Sequence, residues 1–528
     1  MANTLKFGNG NWATKDGSTL AYNDESGFNP LPFDFTRASS ATVVNKNGLI
    51  ETVASGIPRI DFLGNTQGAL LLEPSRTNLI TESEAFASTY WLKNGASIQG
   101  DASTAGAELV KNGDFATDSD WVKDGETTIS AGKCRILSTA GAYSAVQQLN
   151  VLTIGKTYKL DIDIVSYNAG LIRVSDGTTI LLENISSVNS YSVTFIATNT
   201  KVWIYRNGIT DISIDNVSVK EVQGFASPSA DSPLGAFKLV EDTSIGQHKL
   251  EKGFSIVIGQ GYTYSIFAKK GERDWIQLRS NQTAGNTYFN LSNGTIGTDS
   301  STSSSIEPIG NGWYKCTVSG VSISTSNTIF TYLADADGSN SYTGDGTSGV
   351  YIYGAQLEVG SYATSLINTS GSAVTREADT CNNGANSEVI NSTEGVFFLD
   401  FKKEHNGLEI WSINDGTTAN RVYMGLSGTN FISQVRNAGG AASMQINTPI
   451  NNNTRYKCAL AYKENDFVLY INGVQIGTDN SGLAPINMSK LSSNAGLLLD
   501  APFFSPTNEI KLYNTRLSNS ELATLTTI

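Results

Sequence analysis

The sequence predicts an all-β chain of several jelly-roll β-sandwich domains, one of them inserted in another. Three observations carry this reading. Short runs alternate apolar and polar residues, as in TYKLDIDI at 157–164, TDISIDNVSV at 210–219 and FVLYING at 467–473. Such runs end in Gly, Asn, Asp or Ser about every ten positions, the pattern of antiparallel sandwiches. Composition agrees, with 51 glycines and 16% charged residues, against roughly 25% charged in an average chain. One helix signal stands out. Ser518 and Glu521 form a capping box ahead of Leu522 and Leu525.

An internal repeat organises the middle of the chain. LITESEAFASTYWLKNG at 79–95 matches LVKNGDFATDSDWVKDG at 109–125: Phe-Ala, then Trp, an apolar residue, Lys and a turn ending in Gly. GKTYKLDI at 155–162 parallels GYTYSIFA at 261–268, and ISIDNVSV at 212–219 parallels VYIYGAQL at 350–357. The two openings lie together, whereas the middles and ends lie apart, so one copy sits inside the other. The expected domains are therefore 1–76, a split outer sandwich of 77–106 with 225–380, an insert of 107–223, and 386–528. Surface loops of sandwiches tolerate such insertion. Two tandem domains are the plainer alternative.

Charge and residue usage exclude several function classes. With 36 basic and 49 acidic residues the net charge is -13, which argues against nucleic acid or an anionic membrane as partner. Only two histidines occur, His248 and His405, and the four cysteines, Cys134, Cys316, Cys381 and Cys458, include no CxxC pair. Four unpaired, buried thiols are expected. No segment approaches the roughly 20 apolar residues that cross a bilayer, and no signal peptide is expected at the start. An adhesin-like composition without an export signal fits a virion protein, assembled in the cytoplasm of a bacterial host.

Family resemblances refine these expectations. The insert, with ELVKNGDF at 108–115, Trp121, GKTY and IDNVSVKEV at 214–222, resembles carbohydrate-binding modules of families four and nine, which implies a jelly roll with a sugar-binding cleft. FTRASSATVVNKNGLIE at 35–51, LLLEPSRTNL at 70–79, NGWYKC at 311–316, YTGDGT at 342–347, GAQLE at 354–358 and VTREAD at 374–379 are similar to motifs of tailed-phage head-spike, head-fibre and tail-fibre proteins, many from phages of Bacteroidetes. That likeness covers roughly 1–106 and 225–380 and implies a virion fibre component. The inserted sandwich departs from the simpler relatives. From about 386, GVFFLDF at 395–401, FVLYINGV at 467–474 and EIKLYNTRLSNSEL at 509–522 resemble a laminin-G or concanavalin-A-like domain, whose members bind glycans or proteins, sometimes through calcium.

Candidate sites follow from this. No enzyme is expected: a sugar hydrolase needs two carboxylates about 5–10 Å apart across a cleft, and no Glu-x-Asp-x-x-Glu run exists. Asp161 with Asp163, and Asp400 near Glu404, come nearest. Neither a GxSxG elbow nor a P-loop occurs. No cofactor is required, with Ca2+ as the one candidate. Asp335, Asp337 and Asp345 offer oxygens around a glycine turn, though the glutamate that completes such a loop is absent and a solvated turn is the preferred reading. Sugar is held by an aromatic face flanked by planar polar groups, and Trp411, Arg421, Tyr423, Asn430 and Arg436 are the candidates. Trp411 reads as core or surface. Trp91, Trp121 and Trp313 occupy matching motif positions and are expected to pack. The expected function is a non-enzymatic phage fibre or spike that attaches to host-surface glycan, a homotrimer docked to other virion proteins through 1–76, with no nucleic acid and no membrane insertion. A structural or capsid-decoration fibre, and a glycan-degrading tail protein, are the alternatives.

Overall fold

The computed structural model describes residues 2–6, 21–23, 28–30, 33–100, 105–222, 224–280, 284–437, 442–496 and 501–528. Among them are 44 strands and one helix, so the all-β sandwich expectation holds. Two compact units result: Met1–Gln99 with Ala226–Ile528, and Gly100–Phe225. The second contains the 107–223 stretch read as an insert.

The insert is one nine-stranded sheet folded over its own core. Its two long strands, Thr157–Ser175 and Val202–Val222, pair with each other through repeated register shifts. Bulges bend such strands, so each serves both layers. Leu160, Ile162, Ile164, Ile172 and Val174 of the first strand and Ile204, Ile212 and Ile214 of the second all enter one core. Cys134 lies there too, and burial pushes its thiol up to about 12. All four cysteines are buried and unpaired.

The internal repeat has a physical basis. Phe86 packs on Trp91 with ring centroids 5.4 Å apart, and Phe115 packs on Trp121 at 5.3 Å. Each indole N–H donates to the carbonyl nine residues back, Trp91 to Glu82 and Trp121 to Asn112, both at 3.0 Å. The turn glycines that close the motif, Gly95 and Gly125, have φ of 64° and 66°. A Cβ on either would meet the carbonyl oxygen of Gln247 or Tyr143, so only glycine fits. Phe115 itself sits at φ 48°, a cost of order 1–3 kcal/mol borne by the stacking of its fully buried ring.

The middle of the repeat needs a correction of two residues. The backbone N–H of Thr153 donates to the Tyr158 hydroxyl at 2.9 Å, and that of Val257 to Tyr262 at 3.0 Å. Tyr158 therefore matches Tyr262, not Tyr264, and Gly155 matches Gly259. The same bond recurs in the C-terminal sandwich, from Asn451 to Tyr456 at 2.8 Å. Three sandwiches share this corner.

The outer sandwich consists of two six-stranded sheets. Trp91 and Trp313 are 2% and 1% exposed within it. The C-terminal sandwich pairs a ten-stranded with a five-stranded sheet. Its closing helix Asn519–Leu525 carries the Ser518–Glu521 capping box and buries Leu522.

The expected separate module at 1–76 is corrected by its packing. Strand Ala2–Lys6 pairs with Thr507–Tyr513 along five residues, and Ala69–Leu71 lies against the same strand. Phe33, Ile60, Leu70, Leu72 and Cys381 belong to the core of the C-terminal sandwich. That sandwich is thus incomplete as 386–528. The fibre-like motifs meet beside this core in a buried ion network. Asp379 binds Arg37 at 3.0 Å and Arg59 at 2.6 Å, while Glu73 binds Arg59 at 2.7 Å and Arg376 at 2.9 Å. Burial alone would raise the Glu73 carboxyl, but Arg376 and Arg59 outweigh it and hold it well below the usual range. These motifs are structural. They fasten the N-terminal segment to the stretch that joins the outer and C-terminal sandwiches.

Candidate functional site

Exposed aromatic side chains are scarce. Among the described residues the aromatics most open to solvent are Tyr143 and Tyr167, at 44% and 40%, and both belong to the insert. Tyr143 leads into strand Ala145–Gln148, which pairs with Val202–Val222. There Val202 and Ile204 point into the core while Trp203 and Tyr205 are half-buried on the other side. Their rings stack at 4.4 Å and 28°, and Tyr143 leans on Trp203 at 6.2 Å.

Polar groups frame this aromatic strip. Lys201 Nζ lies 4.1 Å from the Trp203 ring centroid and 3.3 Å from Gln147 Oε1. Arg173 stands directly across from Tyr205 and Gln147 across from Trp203. The Arg173 guanidinium holds Glu183 at 2.6 Å, while its buried Nε has no hydrogen-bond partner. The face thus combines ring surface, two cations, one carboxylate and one amide within two rungs of a sheet. Such a face suits a flat ligand with an apolar side and many hydroxyls. None of these residues is among those the sequence points to. A signal exists nonetheless: VWIYR at 202–206 puts two aromatics on the face opposite Val202 and Ile204.

In the C-terminal sandwich the candidates separate. Trp411 is opposite Met424 on the inward face, fully buried, with its indole N–H on Thr507 Oγ1 at 3.2 Å. It is core, so it offers no ring to a ligand. Arg421, Tyr423 and Arg436 do share the outward face, since Arg421 pairs with Arg436 and Tyr423 with Gln434. Tyr423 is only 7% exposed, clustered with Ile410, Ile432 and Ala495. The Arg421 guanidinium sits 4.9 Å from its ring centroid and donates to the Ala495 carbonyl at 2.7 Å. Asn430 pairs with Ser427, six residues along from Arg421 and about 20 Å away. The structure therefore brings together Arg421, Tyr423 and Arg436 but neither Trp411 nor Asn430.

The calcium candidates also disperse. Asp337 Oδ1 accepts from the Thr298 N–H at 2.7 Å. Asp345 accepts from the N–H and hydroxyl of both Thr347 and Ser348. The Ser348 hydroxyl and N–H, with Thr347, hold its carboxyl well below the usual range. Among the described residues no three His, Cys, Asp or Glu side chains gather as a metal site. Asp335, Asp337 and Asp345 serve as turn residues.

No protein-family model matches the chain, and no curated protein matches it. Several solved structures are similar in part. The sialidase module CBM40 of Ruminococcus gnavus bound to α2,3-sialyllactose is 17% identical, with 28% of this chain and 94% of that one covered at a TM-score of 0.24. Domain 4 of AbnA, a GH43 extracellular arabinanase of Geobacillus stearothermophilus in complex with arabinotriose, is 14% identical over 28% and 73%, at 0.23. The CBM22-1–CBM22-2 tandem of Paenibacillus barcinonensis Xyn10C is 11% identical over 49% and 100%, at 0.20.

Proposed function

We propose that this chain is a non-enzymatic structural protein that displays β-sandwiches and binds glycan through the outward face of its insert. The stacked Tyr143–Trp203–Tyr205 strip with Lys201, Arg173, Gln147 and Glu183 is the observation that carries the reading. A pyranose has an apolar body and a hydroxyl rim, and such a face meets both. Following the fibre-like motifs, the protein is a phage virion component attaching to host-surface glycan, assembled in the bacterial cytoplasm. Single sandwiches bind sugars weakly, so several parallel copies, a homotrimer in this reading, raise effective concentration. Contact with other virion proteins falls to the N-terminal strands. Among the described residues strand Phe28–Pro30 ends its sheet, and an unpaired strand edge is a pairing site.

The test is binding of the full-length protein to immobilised cellohexaose, xylohexaose, laminarihexaose, chitohexaose and 3′-sialyllactose. Trp203→Ala and Tyr143→Ala are expected to reduce retention on at least one sugar tenfold or more while leaving the melting temperature of the insert within a few degrees. Equal retention of both variants and wild type on every sugar that binds removes this face from the function. A purely structural fibre is what remains if nothing binds.

A further inference from the structure

The strand order around the insert's aromatic strip recurs in the outer sandwich. In the insert, Val122–Asp124, Ala145–Gln148, residues 202–205 and residues 173–175 lie side by side. In the outer sandwich the neighbours are Leu92–Asn94, Lys249–Ser255, Ser326–Ala334 and Trp275–Ser280. The first strand of each set follows Trp121 or Trp91, the repeated tryptophan. On this alignment Trp203 matches Phe330 and Tyr205 matches Tyr332.

The matched pairs behave alike. Phe330 and Tyr332 stack at 5.4 Å and 23°, with Ile329 and Leu333 pointing into the core beside them. Lys249 Nζ lies 4.8 Å from the Phe330 centroid, and the Arg279 guanidinium 5.6 Å from it. One rung runs Leu92, Glu251, Phe330, Arg279, Asn286 across five strands. Leu92 is 59% exposed. Asn286 Oδ1 is buried without a hydrogen-bond donor. The next rung is closed, with Tyr332 and Gln277 each 2% exposed and Asn340 donating to Gln277.

We infer that the outer sandwich carries a second sugar-binding face, on the rung Leu92–Glu251–Phe330–Arg279–Asn286. Phe330 and Leu92 supply apolar contact, Glu251, ion-paired to Lys249 through one carboxylate oxygen at 2.8 Å, accepts a hydroxyl proton through the other, and Arg279 donates. Glu251 to Arg279 spans two strand spacings, about 10 Å, room for a short glycan unit rather than an extended chain. The stacked pair is kept between the two faces while the polar rim changes: Glu251 stands where the insert has Gln147, and Arg279 where it has Ser175. The two faces therefore take sugars of different substitution. The inference shares the chemistry proposed for the insert but none of its residues.

The experiment uses the same five immobilised sugars and the full-length chain. Trp203→Ala is expected to keep part of the binding, and adding Glu251→Gln or Arg279→Gln to it is expected to cut that remainder tenfold or more. Phe330→Ala is expected to do the same, and the two conservative variants guard against loss of folding at that position. Trp203→Ala alone abolishing all binding overturns the second face and leaves the first intact. Binding insensitive to Trp203→Ala but lost with Glu251→Gln or Arg279→Gln keeps the second face and overturns the first. No binding of wild type to any of the five counts against both.

Discussion

In the inserted sandwich the Phe115–Trp121 pair, the Tyr158 corner and the Trp203–Tyr205 stack form a body with a hydrophobic core and one open aromatic face. In the outer sandwich the Phe86–Trp91 pair, the Tyr262 corner and the Phe330–Tyr332 stack repeat the plan. The surroundings differ. Where the insert has surface ion pairs such as Arg135–Asp211, with Arg135 46% exposed, the joint beside the outer sandwich buries Arg37, Arg59, Arg376, Glu73 and Asp379. A shared core plan sets each fold, and the placement of charge differs: the insert keeps such an ion pair at its surface, whereas the other unit buries its ion network where its own segments meet.

The comparison breaks most visibly at Asp379. Its removal in Asp379→Ala leaves the buried Arg37 guanidinium without a carboxylate and Arg59 with Glu73 alone, and losing one partner of such a pair costs about 3–5 kcal/mol. Calorimetry is expected to show the Met1–Gln99 plus Ala226–Ile528 unit melting far earlier with the insert's transition unmoved. The matching change in the insert, Arg135→Ala, is expected to cost under about 1 kcal/mol. Equal shifts in the two variants would dissolve the distinction. Truncating all of 1–76 is expected to unfold the C-terminal sandwich as well, since Leu70 and Leu72 are core, so tests of virion docking should remove 1–32 only.

Trp91→Ala and Trp121→Ala sharpen the shared plan. Each is expected to cost about 3–5 kcal/mol, and each to destabilise its own unit alone. A Trp121→Ala variant that lowers both transitions together would show the insert is no independent folding unit.

A pH effect of intermediate size separates the units further. Asp61 borders a small cavity of about 50 Å³ lined also by Glu73, Glu307, Lys315 and Glu404. Burial, with repulsion from Glu73 and Glu404 and against a hydrogen bond from the Val44 N–H, pushes its carboxyl up to about 7. Folding therefore favours the protonated form. That contribution is present below about pH 4, where the unfolded carboxyl is protonated too, and is lost as pH rises toward 7. The stability difference between Asp61→Asn and wild type is expected to grow in favour of the variant from pH 4 to 7 and then level off. Denaturant melts at four pH values read it, and a flat difference would count against the shift.

A small effect is expected at the shared corner. Tyr158→Phe, Tyr262→Phe and Tyr456→Phe each remove one hydrogen bond, about 1 kcal/mol, and the three losses should agree within a factor of two or so.

Much of this was legible in residues alone. Period two placed the strands, Ser518 and Glu521 placed the helix, and the Trp-x-Lys-x-Gly turns exposed the duplication, because alternation, caps and left-handed turns are local demands on the chain. The pairing of GKTY with GYTY came out two residues off, since the second copy offers two tyrosines, Tyr262 and Tyr264, for Tyr158 to match, and only the hydroxyl bond tells them apart. Position in space was not legible. VWIYR at 202–206 and IFTYL at 329–333 carry the same alternation, yet Tyr205 is half-open and Tyr332 is 2% exposed beneath the Asn340 turn. Likewise FTR, LLEPSR and TREAD read as motifs similar to those of phage fibres, and nothing in them foretells that Arg37, Glu73 and Asp379 meet across some 300 residues of chain. A strand's sequence states which side chains share a face. Which face another segment covers depends on contacts between residues far apart in the chain, and those belong to the tertiary structure.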